Sequence, residues 1–417
     1  MNDRLNSLGY RTLKCVSDSV FRKDTVMRGH EFHYSSAVVA EGTQDFLRRR
    51  IRRSARLFRV RRSPGKCLRQ LRASAFRLES GSRETVGGGN DAMIFLLTAF
   101  LVAFLLDFLF GDPHSALHPV ALAGRLASSV ERVCRKLPGG GIFSGMAGWF
   151  LMVAVCCLAA YVSTWGGWRL NVWCGAVLAG AWLYVCIALR SLIDHAEAIR
   201  RPLKNGDLTA ARKALGMIVS RDTESLDESN IIRGAVESLS ENVIDAVNSA
   251  LFWAVLGYLA GGLPGLAAGA VFLRIVNTLD ACWGYRDEKY EKFGKFAARA
   301  DDFAHWIPAR MTMVAIAFAG LFCGGSLMRT LETGIRHRKD HPSPNSCYGM
   351  ASFAGALGIR LGGATIYGGV AEPYPYWGDG RSRLVERDLV RAERLTVVSS
   401  LVFAIMILGG AWLWFAV

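Results

Sequence analysis

No two of the ten cysteines in this 417-residue chain are spaced as Cys-x-x-Cys, and several lie inside apolar runs. That argues against a zinc site or a disulfide framework and leaves small apolar packing residues in a reducing setting. The short signatures of common catalytic machinery are missing as well. There is no Gly-x-Ser-x-Gly elbow, no His-Glu-x-x-His helix and no Ser-His-Asp order. The phosphate-cradling Gly-x-x-x-x-Gly-Lys-Ser/Thr loop is absent, and no Gly-x-Gly-x-x-Gly follows a strand. Charge is scarce over the centres of the longest apolar runs, where an ion-coupled transporter would carry ionisable groups.

Apolar surface is abundant. The chain is 51% hydrophobic with 11 Trp, and its mean hydropathy is +0.23. Those values fit a polytopic membrane protein better than a soluble domain of this size. Runs of about 18 or more apolar residues mark membrane spans, and the candidates are 93–110, 146–165, 172–189, 246–276, 311–328 and 395–417. The expected fold class is an all-α polytopic integral membrane protein whose transmembrane helices are joined by cytoplasmic helical and glycine-rich polar segments.

The net charge of +15 is uneven: residues 1–92 carry +11 and the remainder only +4. The excess sits in RRRIRRSARLFRVRRSPGK at 48–66. No aromatic stacking pattern or DNA-reading motif accompanies it, so no nucleic-acid partner is expected. Cytoplasmic flanks of membrane helices carry excess Lys and Arg. The 166–171 link holds only Arg169, whereas Arg132, Arg135 and Lys136 flank one far end and Arg190, Arg200, Arg201 and Lys204 the other. Segments 111–145 and 190–245 are therefore expected in the cytoplasm, which would put the basic tail on the opposite side, against the rule. Two resolutions are open. Met93 is the true start and 1–92 an artefact of start assignment, or 93–110 is a re-entrant or interfacial helix shortened by Asp107. The first is the expectation, giving a basic, disordered or artefactual extension (1–92) and a membrane-embedded domain (93–417). Sequencing the N-terminus of the native protein tests it, and a mature chain beginning at Asn2 would rule it out. Basic segments 277–310 and 329–341 raise a second parity problem. It is solved if 246–276 doubles back at Gly261-Gly262-Leu263-Pro264-Gly265, and if 311–328 turns back at Gly324-Gly325 or lies in the interface.

Three polar stretches have the composition for chemistry. In the first, 220–253, Ser225 and Glu228 have capping-box spacing and Asp227 is an alternative N-cap. Arg233, Glu237, Glu241 and Asp245 then recur every four residues, as one drifting stripe on a helix. Like charges at that spacing are mutually destabilising, so either a cation compensates them or they are solvated acids beside an Arg233–Glu237 pair. In the second, 274–310, Asn277, Asp280, Asp301 and Asp302 border apolar surface, and carboxylates there suit Mg²⁺, which needs only one or two protein carboxylates beside phosphate oxygens and waters. Lys289, Glu291, Lys292 and Lys295 read as a solvated face. The third, 341–381, is rich in glycine, whose backbone approaches a ligand closely and cradles phosphate, with Arg360 adding charge; tight helix packing explains such glycines equally well. A fourth stretch, FLFGDPHSALHPVALAGR at 108–125, ends an apolar run at Gly111-Asp112-Pro113 and spaces His114 and His118 four apart, a weak metal signal.

From about residue 93 to 394 the chain resembles the CobD/CbiB family of cobalamin biosynthesis, the adenosylcobinamide-phosphate synthases. The resemblance rests on DFLFGDP with HPV and GR at 107–125, SRDT at 220–223, AVESLSENVIDAV at 235–247 and RIVNTLDACWGYRDEKYEKFG at 274–294. It continues through ARADD at 298–302, PAR at 308–310, HPSPN at 341–345, GALGIRLGG at 355–363, YGG at 367–369 and GDGR at 378–381. Residues 1–92 have no counterpart in it.

The resemblance implies a multi-pass protein of the bacterial inner membrane with its active face in the cytoplasm. It implies ATP-dependent amide synthesis between adenosylcobyric acid and (R)-1-aminopropan-2-ol O-phosphate or a related amino-alcohol phosphate, with ATP and Mg²⁺ as cofactors. Partners would be the two substrates, the lipid bilayer and other membrane enzymes of the late cobalamin pathway. Glu237, Glu241, Asp245, Asp301 and Asp302 are its candidate catalytic residues, of which Glu241, Asp245 and Asp302 would hold Mg²⁺. Arg221, Arg286, Arg299 and Arg360 would bind phosphates. Asp222, Asn242, Asn277, Asp280, Tyr285, His341, Ser343, Asn345, Gly362, Gly363, Tyr367, Gly368, Gly369 and Asp379 complete the binding set. His118 falls on the HPV block and His114 in its spacer, so Asp112, His118 and Arg125 are expected to form one lip of the substrate site. A corrinoid transporter or scaffold is the rival reading, favoured only by the Gly-Pro break at 261–265.

Overall fold

The reversal suspected at Gly261 organises the molecule. In the computed structural model, which describes residues 9–14, 26–31, 89–112, 118–136, 141–285 and 287–416, the helix Ser249–Trp283 breaks at Gly261 (φ −154°, ψ 25°) and Gly262 (φ 62°, ψ −150°). The second pair of angles lies where L side chains rarely go, and Pro264 opens the return arm, as it does at a first helical turn. The arms then touch backbone to backbone. A Cβ on Gly257 would sit 2.1 Å from the Gly265 carbonyl oxygen, and one on Gly269 would sit 2.1 Å from that of Trp253. Close glycine-on-glycine packing is the usual solution where helices meet without a hydrophobic driving force between them.

Before this hairpin come the strands β1 (Gly9–Lys14) and β2 (Val26–Glu31), an antiparallel pair. Then follow α1 (Gly89–Phe110), α2 (Pro119–Cys134), α3 (Ile142–Leu170), α4 (Val172–Tyr184), α5 (Leu189–Lys204), α6 (Leu208–Leu215) and α7 (Glu228–Val243). One π turn, Ile244–Asn248, joins α7 to α8, the hairpin Ser249–Trp283. After it come α9 (Lys295–Ala304), α10 (Trp306–Phe322), α11 (Leu327–His337), α12 (Ser346–Leu357) and α13 (Glu386–Ala416). Between α12 and α13 lie two small antiparallel ladders, β3 (Leu361–Gly362) with β6 (Tyr376–Trp377) and β4 (Thr365–Tyr367) with β5 (Val370–Glu372). Six of the described helical stretches are long and apolar enough to cross a membrane. The protein is an all-α polytopic membrane protein. Leu101, Phe108, Leu158, Ile405 and Trp414 point outward, which suits lipid and not water.

Contacts sort the connections onto two faces. The hairpin tip shares one face with the start of α1, where the Tyr258 hydroxyl donates to the Ala92 carbonyl at 2.5 Å, and with the end of α13, where Tyr258 meets Phe415 edge-on. On the other face, Tyr184 at the end of α4 donates to the Gly111 carbonyl at 2.8 Å, and the Arg190 amide donates to Asp107 at 2.9 Å. Segments 111–145 and 190–245 thus share a face, as their charge implies. The α10 helix does not carry the chain away from it. Its first turn meets the residue before α12 (Arg310 to Asn345, 3.5 Å), and the Cys323 carbonyl just beyond its end accepts from Arg391 near the start of α13 (3.3 Å).

Two boundaries are corrected. The first span begins at Gly89, four residues before Met93, and Asp107 is buried within it instead of shortening it. The N-cap of α7 is Asp227, whose side chain accepts from the Asn230 amide at 2.8 Å; Ser225 plays no part in the cap. The basic run at 48–66, His114 and Arg286 lie outside the described residues.

Candidate functional site

The acidic stripe of α7 is resolved into separate partnerships on the face away from the hairpin tip. Arg233 turns from Glu237 and donates to the Gly362 carbonyl at 2.8 Å. Glu237 is buried, paired with Arg221 at 2.5 Å, and accepts the Gly362 amide at 2.7 Å. One turn later Glu241 accepts from the Ser346 hydroxyl at 2.8 Å. The π turn then inserts an extra residue into the helix, a distortion common at functional sites, and carries Asp245 toward His305 (3.7 Å). The like-charge cost of the stripe, a few tenths of a kcal/mol per pair, is therefore met largely by protein groups.

Between α7 and the ladders lies a cleft of about 90 Å³, room for several waters or one phosphate-sized group. Arg221, Glu237, Glu241, Asn242, His341 and the Gly362–Gly363 backbone line it, with Tyr367, Tyr374 and Trp377. Both glycines have positive φ (77° and 87°), and a Cβ on Gly362 would meet the Pro375 carbonyl oxygen at 2.4 Å. His341 stacks on Tyr374, and its Nδ1 accepts from the Ser343 amide at 3.1 Å, which fixes the ring. Asn345, whose amide donates to Ser343 Oγ, extends its side chain to the Asp302 carbonyl at 2.9 Å. Asp222 braces the β4–β5 turn: its carboxylate accepts from the Gly369 amide (2.7 Å) and its own amide donates to Ile366 (2.8 Å). Burial pushes the Tyr367 phenol above its usual pKa, so at neutral pH it is a hydrogen-bond donor.

A second polar group adjoins the α7–α8 junction. His305 is fully buried; its Nδ1 lies 3.3 Å from the Asp301 carboxylate and its Nε2 faces Asp245. Asn277 donates to Asp301 at 3.4 Å, and Asp280 lies within electrostatic reach of Asp301, Asp302 and His305. Underneath, buried Arg274 donates to the Cys186 and Ala246 carbonyls and so holds the α4–α5 break against the π turn. His305 escapes motif reading, although its spacing of four from Asp301 marks the pair in retrospect.

Other expected residues are not gathered into the cleft. Arg125 and Arg299 are exposed on α2 and α9, and Asp379 pairs with Arg336 at 2.6 Å. Tyr285 lies tilted against Tyr290, Gly368 and Gly369 form the exposed tip of the β4–β5 hairpin, and Arg360 lines a different cleft, beyond β3. Asp112 and His118 do meet, at 3.5 Å. Burial lowers the His118 pKa below the ordinary 6.5, outweighing the opposing pull of Asp112. A histidine held neutral by burial contributes stability that is complete above about pH 6.5 and is lost as pH falls below it. His118→Gln should therefore shrink the drop in thermal midpoint between pH 7.5 and 5.5; an unchanged drop would refute this account.

Among the described residues no three His, Cys, Asp or Glu side chains converge as a metal cage. Glu241 is engaged by the Ser346 hydroxyl and Asp245 by His305, each carboxylate with a protein partner of its own. The donor chemistry beside the cleft still suits Mg²⁺ shared with phosphate oxygens, because Glu241 adjoins Asn242, whose buried Oδ1 has no partner.

The family described as CobD/Cbib protein matches residues 100–396. The cobalamin biosynthesis protein CobD of Leptospira interrogans is 36% identical over 313 residues, covering 74% of this chain and 97% of that one. CobD of Klebsiella pneumoniae is 37% identical over 330 residues (76% and 98%), and CbiB of Salmonella typhimurium is 36% identical over 323 residues (75% and 96%). No solved structure matches the chain. With a family match over most of its length, on the blocks that build the cleft, this chain belongs to the CobD/CbiB family of cobalamin biosynthesis proteins.

Proposed function

We propose that the protein is an ATP-dependent amide synthase that joins (R)-1-aminopropan-2-ol O-phosphate, or a related amino-alcohol phosphate, to the free carboxylate of adenosylcobyric acid. A carboxylate does not react with an amine unaided. Its oxygen attacks the γ-phosphorus of ATP and expels ADP. The amine nitrogen, having lost a proton, then attacks the acyl carbon and expels phosphate, leaving adenosylcobinamide phosphate. The chemistry calls for anion-binding groups and carboxylates, not for a protein nucleophile. The observation that supports it best is the cleft in which Arg221, Glu237, Glu241, Asn242, His341 and the Gly362–Gly363 backbone converge from four distant segments.

In this reading Arg221, held in place by Glu237, and the glycine backbone bind the phosphate of the amine substrate, while the Asp301–His305–Asp245 group faces its ammonium. Glu241 and Asn242 Oδ1 would hold Mg²⁺, which would supply charge neutralisation at the phosphate bound beside them. The Gly261–Gly262 break, the feature that favours transport, is an exposed reversal on the face away from the cleft.

Membranes containing the protein, given adenosylcobyric acid, aminopropanol phosphate and Mg·ATP, should form the amide and release ADP. Absence of ATP-dependent product would refute the proposal. Glu241→Ala and Asp302→Ala should each lower product formation by about a hundredfold or more, with the protein still in the membrane. Full activity in both would remove these residues from the site.

A further inference from the structure

The cleft beyond β3, where Arg360 resides, is the larger of the two, about 420 Å³. It is built at the start of α7 and along β6, with Arg233, Arg360 and Arg383 around an exposed Tyr376 ring. The Arg360 guanidinium lies 5.6 Å from the centre of that ring. Arg233 spends one nitrogen on the Gly362 carbonyl, but its Nε is buried without a partner, and so is the Nε of Arg360. Three guanidinium groups on one wall make a site for a polyanion. Two carboxylates, Asp227 and Glu228, stand in the wall against these three arginines, so the lining is net positive.

We infer that this cleft is the nucleotide site: the triphosphate lies on Arg233, Arg360 and Arg383, and the base lies on Tyr376. The volume falls within the range of small-ligand pockets, about 300–1,000 Å³, and is too small for a corrin ring with its side chains. An exposed aromatic face beside guanidinium groups stacks a base and binds phosphate at once. Gly362 joins the two clefts, because its amide is held by Glu237 on one side and its carbonyl by Arg233 on the other. The smaller cleft is then left for the amino-alcohol phosphate. This assignment rests on the amide-synthase reading, and it separates two phosphate sites that the residue pattern alone leaves merged.

The test uses the purified full-length protein in detergent, 8-azido-ATP as the probe, and a KM split. Irradiation should label Tyr376 or the stretch 382–385, which line this cleft and not the smaller one, and excess ATP should suppress the label. Arg360→Ala and Tyr376→Ala should raise KM for ATP about tenfold or more and leave KM for aminopropanol phosphate unchanged. Tyr376→Phe, which keeps the ring, should restore it. Tyr376 is 54% exposed, so its loss does not threaten the fold. Labelling elsewhere, Gly362, Tyr367, Tyr374 and Trp377 of the smaller cleft included, or a rise in KM for the amine substrate alone, would overturn the assignment. If the wild type makes no amide from ATP yet the label still falls on Tyr376 or 382–385, the nucleotide site stands and the amide-synthase reading fails. If amide forms and the label falls elsewhere, the reverse holds.

Discussion

Glu237→Ala is expected to abolish product formation and to destabilise the protein by about 3–5 kcal/mol, the cost of leaving one member of a buried ion pair without its partner. The carboxylate is 4% exposed and has two duties, Arg221 at 2.5 Å and the Gly362 amide at 2.7 Å. Its removal strands a guanidinium in the protein and frees the strand that closes the cleft. Glu237→Gln keeps an acceptor for Gly362 and should fall between the two, with a loss of about 1–3 kcal/mol. Replacing both partners, Glu237→Leu with Arg221→Met, removes the stranded charge along with the carboxylate. That double variant should recover much of the stability, because apolar replacements of buried pairs are often nearly neutral, and should stay inactive. Thermal midpoints in detergent, followed by size-exclusion chromatography of the heated protein, read stability apart from turnover. An active double variant would show that Arg221 and Glu237 are scaffold only; a Glu237→Ala variant as stable as wild type would show that the pair is not buried as described.

The difference between the stripe that the sequence suggests and the pairs that form is instructive. Periodicity puts Arg233, Glu237, Glu241 and Asp245 on one helix face, and they do share α7 and its π turn. It says nothing of what faces them. Arg221 arrives from the loop before α7, Gly362 from a two-residue strand, Ser346 from the start of α12 and His305 from the end of α9. Such long-range pairings leave no local trace, and two-residue strands are too short to show an alternation. The spans were legible because apolar runs of that length have few alternatives, and basic flanks identified the shared face of 111–145 and 190–245 because charge asymmetry is itself a topological signal. The family resemblance gives Arg360 and Arg221 the same role, binding phosphate. They are separated by β3, whose sides face different clefts.

Gly257→Val and Gly269→Val should each prevent assembly of the folded protein in the membrane, and even Gly257→Ala should sharply reduce its yield. A methyl carbon at 257 would lie 2.1 Å from the Gly265 carbonyl oxygen, and one at 265 would lie 2.2 Å from that of Gly257. These are main-chain atoms within helices and cannot rotate aside, so the arms must separate. Ordinary overpacking costs about 1–3 kcal/mol; here the opened interface also forfeits the close van der Waals contact that holds helices together in lipid. A methyl carbon at Gly409 on α13 would meet nothing within 4 Å, so Gly409→Ala should be neutral or stabilising by up to about 1 kcal/mol through helix propensity. Measured as monodisperse protein recovered from membranes, equal yields for Gly257→Ala and Gly409→Ala would contradict the hairpin. The consequence reaches the site because the hairpin begins beside Asp245 and ends beyond Asn277 and Asp280. Its outbound and return arms thus bring groups about 30 residues apart to the single cluster around His305. Any Gly257→Ala protein that does fold should therefore show reduced turnover, although residue 257 lies toward the tip on the opposite face.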